Sequence, residues 1–275
     1  MPGLFFRHRS SLEHETGPHP ENAGRIRAIE RALDDAGWPG LELLEAPEAS
    51  RPMLERVHDP AHVDEIERFC AAGGGMIDMD TVATDASWEA ALRAAGAAAE
   101  GAERLLSGEA RFAFSAMRPP GHHAESDRAM GFCLFNSAAV AAAHAVAECG
   151  AERVLVLGWD GHHGNGTAEI FEGSGEVLYA SIHQSPLYPG TGEARETGVG
   201  EGRGFTVNLP VPPGSGEAAL FGRATCDCVP GRAIWTQRRW RPVKCWQYAK
   251  NIVALPQEKT RWPPGQRKSK KMGGF

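Results

Sequence analysis

Apolar positions along the first 220 residues follow two spacings that alternate along the chain. Apolar residues that recur every three or four positions predict helices, whereas short apolar or alternating runs predict strands. The succession of the two predicts an α/β domain. Helices are expected at 23–36, 60–72, 88–106 and 136–149, with Ser87 as an N-cap. Strands are expected at 5–8, 41–46, 111–117, 154–157, 177–182 and 205–209, and a polar loop at 78–85.

The segment 154–166 joins a predicted buried strand to a glycine-rich turn. Asp160 and His162 lie two residues apart at this junction. If the backbone stays extended there, their side chains point the same way and converge on one point. Ligands bind at the carboxyl ends of strands in α/β sheets, so the pair is predicted to form half of a zinc site. The alternative is a polar turn in which Asp160 bonds backbone amides.

A second polar segment follows the strand predicted at 111–117. Two prolines and a glycine prevent the strand from continuing, and His122 and His123 come directly after them. Histidine carries protons near neutral pH, although such a pair can also be structural or solvent-exposed. One predicted helix separates the strand at 111–117 from the strand at 154–157. We therefore expect the two strands to be parallel and close together, with the loops that follow them at the same edge of the sheet.

Composition narrows the class of protein. The 275 residues are 42% hydrophobic and 23% charged, which suits a soluble globular protein. The formal net charge of -6 does not indicate nucleic-acid binding, and six cysteines without paired spacing favour a reducing compartment. The apolar run near the start is too short for a signal peptide, and no run approaches a membrane span. We therefore expect a cytoplasmic protein without a membrane partner.

The average charge hides a sharp change near residue 220. Residues 221–275 hold 13 of the 29 Lys and Arg but only two acids, Asp227 and Glu258, so their net charge is +11 against -17 for 1–220. Four of the seven tryptophans also lie in 221–275, and no regular period persists there. The change predicts a boundary between a domain at 1–220 and a basic, irregular tail of unrelated composition at 221–275.

Five motifs stand out in the first 220 residues. They are Arg-Pro-Pro-Gly-His-His-Ala at 118–124, Gly-Phe-Cys-Leu-Phe-Asn at 131–136, Trp-Asp-Gly-His-His-Gly-Asn-Gly-Thr at 159–167, His-Pro-Glu at 19–21 and Tyr-Pro-Gly-Thr-Gly at 188–192. Together they resemble the motifs of the histone deacetylase family. The closest resemblance is to the class II-like bacterial branch that includes acetylpolyamine amidohydrolases. Over residues 1–220 it implies the three-layer arginase-deacetylase fold, a parallel sheet with helices on both faces and a narrow acyl-lysine tunnel.

The resemblance also implies roles for individual residues. Asp160 and His162 match two of three zinc ligands, His123 matches the general base that acts on metal-activated water, and His122 matches its charge-stabilising partner. Gly131, Phe132 and Tyr188 match the substrate tunnel, where the two aromatic rings would sandwich an acetyl-lysine stem; core packing is their alternative. A potassium site is implied at Ser181, Asp160 and the carbonyls of Gly158, His162 and Ile182.

Three departures from the family pattern affect the expected activity. Gly158 replaces the aspartate that the family places two positions before the zinc-binding aspartate. The later Gly-Phe-Asp segment with the third zinc ligand is absent, and the surroundings of Asp227 do not match it. The loop that bears the family's transition-state Tyr or His is absent too, and Tyr248 lacks that context. The C-terminal third of the fold is therefore expected to be missing or replaced, as in a truncated or frameshifted gene, with aggregation at an open sheet edge as the consequence.

Three functions follow from these patterns. The first is a zinc-dependent amidohydrolase that removes acetyl groups from acetyl-lysine peptides or proteins or from acetylated polyamines. The second is a truncated, catalytically inactive remnant of such an enzyme. The third, less favoured, is nucleic-acid binding through the basic tail at 221–275. The acyl group and the oligomeric state are left open.

Overall fold

The computed structural model describes residues 1–216 and two further strands, Lys244–Tyr248 and Asn251–Leu255. Helices α1 to α7 span Ser10–Glu13, Gly24–Asp35, Arg51–Leu54, Pro60–Ala71, Ser87–Leu106, Ser137–Ala147 and Asn165–Ile170. Strands β1 to β10 span Gly3–Arg7, Leu41–Glu45, Gly74–Met76, Val82–Thr84, Phe112–Ser115, Val154–Gly158, Val177–Gln184, Thr206–Val211, Lys244–Tyr248 and Asn251–Leu255.

Eight strands form one sheet in the order β2-β1-β5-β9-β10-β6-β7-β8, and β3 pairs with β4 separately. Within it, β2-β1-β5 and β6-β7-β8 are parallel groups. Between them, β9 runs parallel to β5, and β10 runs antiparallel to both β9 and β6. Strands β5 and β6 therefore point the same way and end at the same edge, although two strands separate them.

Side chains of β1 show why helices cover both faces of the sheet. Successive strand residues point to opposite sides. Leu4 and Phe6 pack in the large core with α5 and α6, whereas Phe5 packs with Ile26 of α2 on the other side. The predicted α/β class with helices on both faces is thus confirmed.

Alanine dominates the contact between α5 and α6. Ala94, Ala98, Ala138, Ala141 and Ala142 are each at most 1% exposed. Small side chains let the two helices approach closely, and each buried methyl contributes on the order of 0.8 kcal/mol. Because α5 also packs against β5 and α6 against β6, the helix pair fixes the relative position of the two parallel groups.

Some predicted boundaries differ from the structure. Ser87 is the first residue of α5 and not its N-cap, because its hydroxyl accepts a hydrogen bond from the amide of Thr84 at 2.7 Å. The predicted loop at 78–85 contains β4, which pairs with a strand from the glycine run at 73–75. Strands β9 and β10 were not predicted, and the rest of the proposed tail at 221–275 lies outside the described residues. Among described residues, no helix is long and apolar enough to cross a membrane.

Candidate active site

A buried ion pair anchors the loop that follows β5. Arg118 donates from Nε and Nη2 to the two carboxylate oxygens of Glu21, at 2.5 and 2.6 Å, and from Nη1 to the Ser11 carbonyl at 2.6 Å. Both side chains are at most 3% exposed. A charged pair in the interior is stable only when its hydrogen bonds are satisfied, as here. This pair ties the 118–124 loop to the 19–21 segment.

The same loop holds His122 and His123 at the carboxyl edge of the sheet. Both are buried, and their ring centroids are 4.0 Å apart. The His122 carbonyl accepts hydrogen bonds from the amides of Gly166 and Thr167, at 3.1 and 3.3 Å. These amides belong to α7, which begins after β6. The backbone of α7 thus connects the loop after β5 to the loop after β6.

Asn165 fixes the tautomer of His123. Asn165 Nδ2 donates to Oε1 of Glu125 at 2.7 Å, and a carboxylate can only accept, so Oδ1 of the amide faces His123. Nδ1 of His123 lies 2.8 Å from that oxygen and must therefore carry the proton. Nε2 of His123 is left with the basic lone pair, as a general base requires.

Asp160 and His162 meet in a turn and not along an extended strand. Strand β6 ends at Gly158, and Oδ1 of Asp160 accepts from the backbone amide of His162 at 2.9 Å. Such an Asx turn brings side chain i back over residue i+2. Nδ1 of His162 lies 2.9 Å from the same carboxylate oxygen. The two groups do converge, but the expected extended backbone is wrong.

This pair offers a carboxylate oxygen and an imidazole nitrogen, which are zinc ligands. The 2.9 Å between them is a hydrogen-bond distance. Two ligands of a tetrahedral zinc with bonds of about 2.0–2.2 Å lie roughly 3.3–3.5 Å apart, so the two atoms would separate by about 0.5 Å to share an ion. The donor set fits two zinc positions. In the part of the chain that the structure describes, no third His, Cys, Asp or Glu completes it as a group of three. Asp227 lies outside that part.

The loops after β5 and β6 come together as predicted. The rings of His123 and His162 have centroids 5.9 Å apart, and both face the ring of Tyr188, at 5.1 and 6.2 Å. All three rings meet edge to face. Thus one loop supplies the basic imidazole, the next supplies Asp160 and His162, and a third, after β7, supplies an aromatic ring.

Gly131 lies against His123, and Phe132 is the next residue in the chain. Both have positive φ, +55° for Gly131 and +71° for Phe132. A Cβ on Gly131 would lie 2.6 and 2.7 Å from two ring atoms of His123, so only glycine permits this contact. Phe132 donates its amide to Thr81 at 3.1 Å, and its ring lies edge-on to His19 at 4.5 Å.

Tyr188 is 40% exposed beside two aspartates. Its pKa is raised to about 12, first by burial and then by the negative charges of Asp80 and Asp78. Tyr188 is therefore a neutral phenol at physiological pH. The two carboxylates lie close enough to give this rim of the site negative potential.

Two buried imidazoles, those of His163 and His183, lie next to each other with ring centroids 4.8 Å apart. Nε2 of His183 faces the Gly192 carbonyl at 3.0 Å and so donates to it, which leaves Nδ1 to accept from the hydroxyl of Ser181 at 2.9 Å. His163 contacts Thr191 at 2.8 Å. Burial, together with His183 and His123, lowers the pKa of His163 to about 3, so it stays neutral.

The predicted potassium ligands fall on adjacent strands. Gly158 of β6 lies opposite Ser181 of β7, and Ile182 follows in β7. Ser181 donates its proton to His183 and also hydrogen-bonds the side chain of Tyr179. The potassium site stays a prediction.

Sequence reasoning did not single out Asn165 or Glu125. Asn165 lies between two glycines, and this pattern indicates a turn. One feature of the sequence could have identified Asn165. It lies at the start of a helix that follows a strand, where a polar side chain can contact a site at the strand's carboxyl end. Nothing in the sequence predicted a role for Glu125, since a carboxylate after a loop is usually exposed to solvent.

Known proteins are similar to the part of the chain that contains these residues. A family model described as a histone deacetylase domain matches residues 19–229. A probable deacetylase of Archaeoglobus fulgidus is 41% identical over 221 residues, which are 79% of this chain and 61% of that protein. A histone deacetylase-like amidohydrolase of Pseudomonas aeruginosa is 42% identical over 240 residues, covering 79% of this chain and 62% of that protein.

A solved structure is also similar. The crystal structure of the HDA15 HD domain has a TM-score of 0.73 at 41% sequence identity, covering 76% of this chain and 61% of that chain. The chain thus spans about three fifths of the length of each of these three proteins.

Proposed function

The chain belongs to the histone deacetylase family and has its arginase/deacetylase-like α/β fold, and we propose that it is a zinc-dependent amidohydrolase. Its substrates would be acetyl-lysine peptides or proteins, or acetylated polyamines. The observation that carries the proposal is the meeting of three groups at one sheet edge. These are the basic nitrogen of His123, the Asp160–His162 pair and the Tyr188 ring.

Asp160 and His162 would hold the zinc ion. When bound, zinc lowers the pKa of a water ligand towards neutrality and polarises an amide carbonyl. The two donors are held together by the Asx turn, so the chain orients them before any ion arrives. The described residues supply these two protein ligands and no third one.

His123 is assigned the role of general base. Its Nδ1 proton is held by Asn165, so its Nε2 accepts a proton from the attacking water and later returns it to the leaving amine. The negative charge of Glu125, transmitted through the Asn165 amide, favours the imidazolium that forms. His122, with its ring centroid 4.0 Å away, stabilises charge beside it.

Gly131, Phe132 and Tyr188 would form the substrate tunnel. The aromatic edges give an apolar slot for an aliphatic stem, and Gly131 keeps the His123 ring close to that slot. Asp78 and Asp80, whose charges act on Tyr188, would attract a cationic substrate. Both a lysine-rich peptide and an acetylated polyamine carry such charge. A potassium ion at Ser181, Asp160 and the carbonyls of Gly158, His162 and Ile182 would support the loop beneath.

A second candidate is a catalytically inactive remnant. Gly158 provides no carboxylate for the first histidine, and such a loss is typically worth about 10- to 100-fold in activity. The absence of a third ligand among the described residues supports the same candidate. Nucleic-acid binding through 221–275 stays a prediction, because most of this segment lies outside the described residues.

Acetate release from an acetyl-lysine peptide and from an acetylated polyamine tests the proposal. We expect turnover by the full chain that is abolished by a chelator, restored by zinc and blocked by a hydroxamate. His123→Ala and Asp160→Asn should remove it, whereas the control Asp35→Asn, exposed at the end of α2, should not. No turnover with zinc in excess would establish the remnant instead. Turnover that both site variants retain would refute the assigned residues.

A further inference from the structure

A second cluster of metal-binding residue types lies at the other end of α6 from the candidate active site. It consists of Glu103 on α5, His144 on α6 and Cys149 just beyond α6. Asn136, the N-cap of α6, hydrogen-bonds Ala124 next to the catalytic loop. His144 follows Asn136 by eight residues, which is about 12 Å along a helix. The cluster is therefore distinct from Asp160 and His162.

His144 is the one polar side chain in a helix whose other residues after Ser137 are alanine and valine. It is 4% exposed. Its Nδ1 has no hydrogen-bond partner among the described residues, and its Nε2 contacts only the Glu103 carboxylate, at 3.4 Å. A buried nitrogen without a partner costs about 1–3 kcal/mol. Neither nitrogen makes a short hydrogen bond, so when Nδ1 carries the proton the lone pair lies on Nε2, the nitrogen that faces Glu103.

The spacing of the three groups suits a metal ion better than a hydrogen bond. One ligand atom from each residue lies within 4.8 Å of the other two. A tetrahedral zinc with bonds of about 2.0–2.3 Å places its ligand atoms roughly 3.3–3.7 Å apart. The 3.4 Å between Glu103 and His144 matches that edge, whereas it is long for a charge-assisted hydrogen bond.

We propose that Glu103, His144 and Cys149 bind one borderline-soft divalent ion of the zinc type, with water as the fourth ligand. Carboxylate, imidazole and thiolate together select zinc, cobalt or nickel over magnesium or calcium. The carbonyls at the C-terminal end of α6 add negative potential on the same side. The ion joins α5 to the end of α6, and the exposed Glu103 leaves it open to solvent.

Two carboxylates lie near the thiol of Cys149. Burial and then the negative charges of Glu103 and Glu148 raise the pKa of this thiol to about 11. The same negative charges attract a cation.

Titration of the metal-free full chain with Co²⁺ tests the site. A thiolate–cobalt bond gives a near-ultraviolet charge-transfer band that a carboxylate–imidazole site cannot give. We expect this band to saturate at one equivalent and to be lost in Cys149→Ser. It should weaken in Glu103→Gln, whose exposed side chain can change without unfolding the protein. It should persist in Asp160→Asn and in Cys70→Ala, a control cysteine buried in α4.

The rate of Cys149 alkylation gives a second test that does not depend on the cobalt absorption band. Equimolar Zn²⁺ should slow alkylation of Cys149 by iodoacetamide, and His144→Gln should remove that protection. Absence of the band in the unchanged chain would overturn the proposal. Its survival in Cys149→Ser, or its loss only when Cys226 and Cys228 are both changed to Ser, would also overturn it.

Discussion

Nδ1 of His123 donates a 2.8 Å hydrogen bond to Oδ1 of Asn165. The two residues come from different loops, after β5 and at the start of α7, and lie 42 positions apart in the chain. An amide at this place orients the imidazole without adding a charge of its own. The basicity of His123 therefore depends on the neutral amide of Asn165. It also depends on Glu125, which accepts a hydrogen bond from the same amide.

Asn165→Leu removes this partner while keeping the side chain's size. We expect activity to fall about 10- to 100-fold, as is typical when the hydrogen-bond partner of a site histidine is lost. The thermal midpoint separates this effect from unfolding. Asn165→Asp places a carboxylate beside Nδ1, which favours the imidazolium and raises the pKa of His123. The ascending limb of the pH–rate profile should then move to higher pH, and an unmoved limb would contradict the assignment of His123 as base.

Gly131→Ala should push the His123 ring out of place, because the new Cβ would lie 2.6 Å from it. We expect a large loss of kcat, together with about 1–2 kcal/mol of destabilisation from the positive φ. Gly150→Ala is the matched control, since Gly150 also has positive φ, +71°, but nothing within 4 Å of its Cβ position. Equal loss of activity in both variants would mean that backbone strain alone is responsible.

Phe132 combines a ring at the tunnel with a strained backbone of φ +71°. Phe132→Ala and Phe132→Gly both remove the ring, so both should raise KM for an acetyl-lysine peptide. Only glycine relieves the strain, so Phe132→Gly should be more stable than Phe132→Ala by about 1 kcal/mol in urea unfolding. An unchanged KM in both would assign Phe132 to packing alone.

Glu21→Ala leaves the guanidinium of Arg118 buried without its carboxylate. The expected loss of unfolding free energy is about 3–5 kcal/mol. The double variant Glu21→Leu/Arg118→Met should be less destabilised than Glu21→Ala, because no buried charge remains. Glu55→Ala, which breaks the exposed Arg51–Glu55 pair, should cost less than about 1 kcal/mol. Similar costs for the buried and exposed pairs would contradict this reasoning.

His58 makes stability depend on pH. Its Nδ1 faces the Glu125 carbonyl and its Nε2 accepts the amide of Asn136, at 2.9 and 2.8 Å, so only the neutral ring satisfies both. Burial, with a smaller effect of His62, lowers its pKa to about 3 from an ordinary 6.5. Between pH 3 and 6.5, His58 is protonated in the unfolded chain but neutral in the folded one. The contribution of the neutral His58 to the free energy of unfolding is therefore complete above pH 6.5 and decreases as the pH falls towards 3.

His58→Gln should remove about 1.4 kcal/mol per pH unit from the slope of unfolding free energy in that window. Urea unfolding at pH 4.5, 5.5 and 7 measures the slope, and the value at pH 7 gives the cost of the substitution itself. His14, whose burial lowers its pKa to about 4, supplies a slope that remains in the variant. A slope equal to that of the unchanged chain would show that His58 does not carry this proton.

The apolar pattern was sufficient for α2, α4, α5 and α6 and for the strands that flank the site, because each of these elements places its apolar residues in the core. Local patterns also placed His122, His123, Asp160 and His162 at strand ends. They could not reveal that Asp160 folds back through an Asx turn, which depends on one side-chain hydrogen bond. Nor could they reveal Asn165 between His123 and Glu125, since that contact joins separate loops. The insertion of β9 and β10 between β5 and β6 is equally non-local.

That insertion has a consequence for biosynthesis. The strands that join β5 to β6 lie at 244–255, so the sheet cannot close until this late segment has left the ribosome. Before then, the open flanks of β5 and β6 face each other across a gap two strands wide. Helices α5 and α6 are consecutive along the chain and already pack together. The α5–α6 pair is therefore expected to hold the β2-β1-β5 and β6-β7-β8 groups together during translation. The order of synthesis favours packing of the two helices first and pairing of β9 and β10 last.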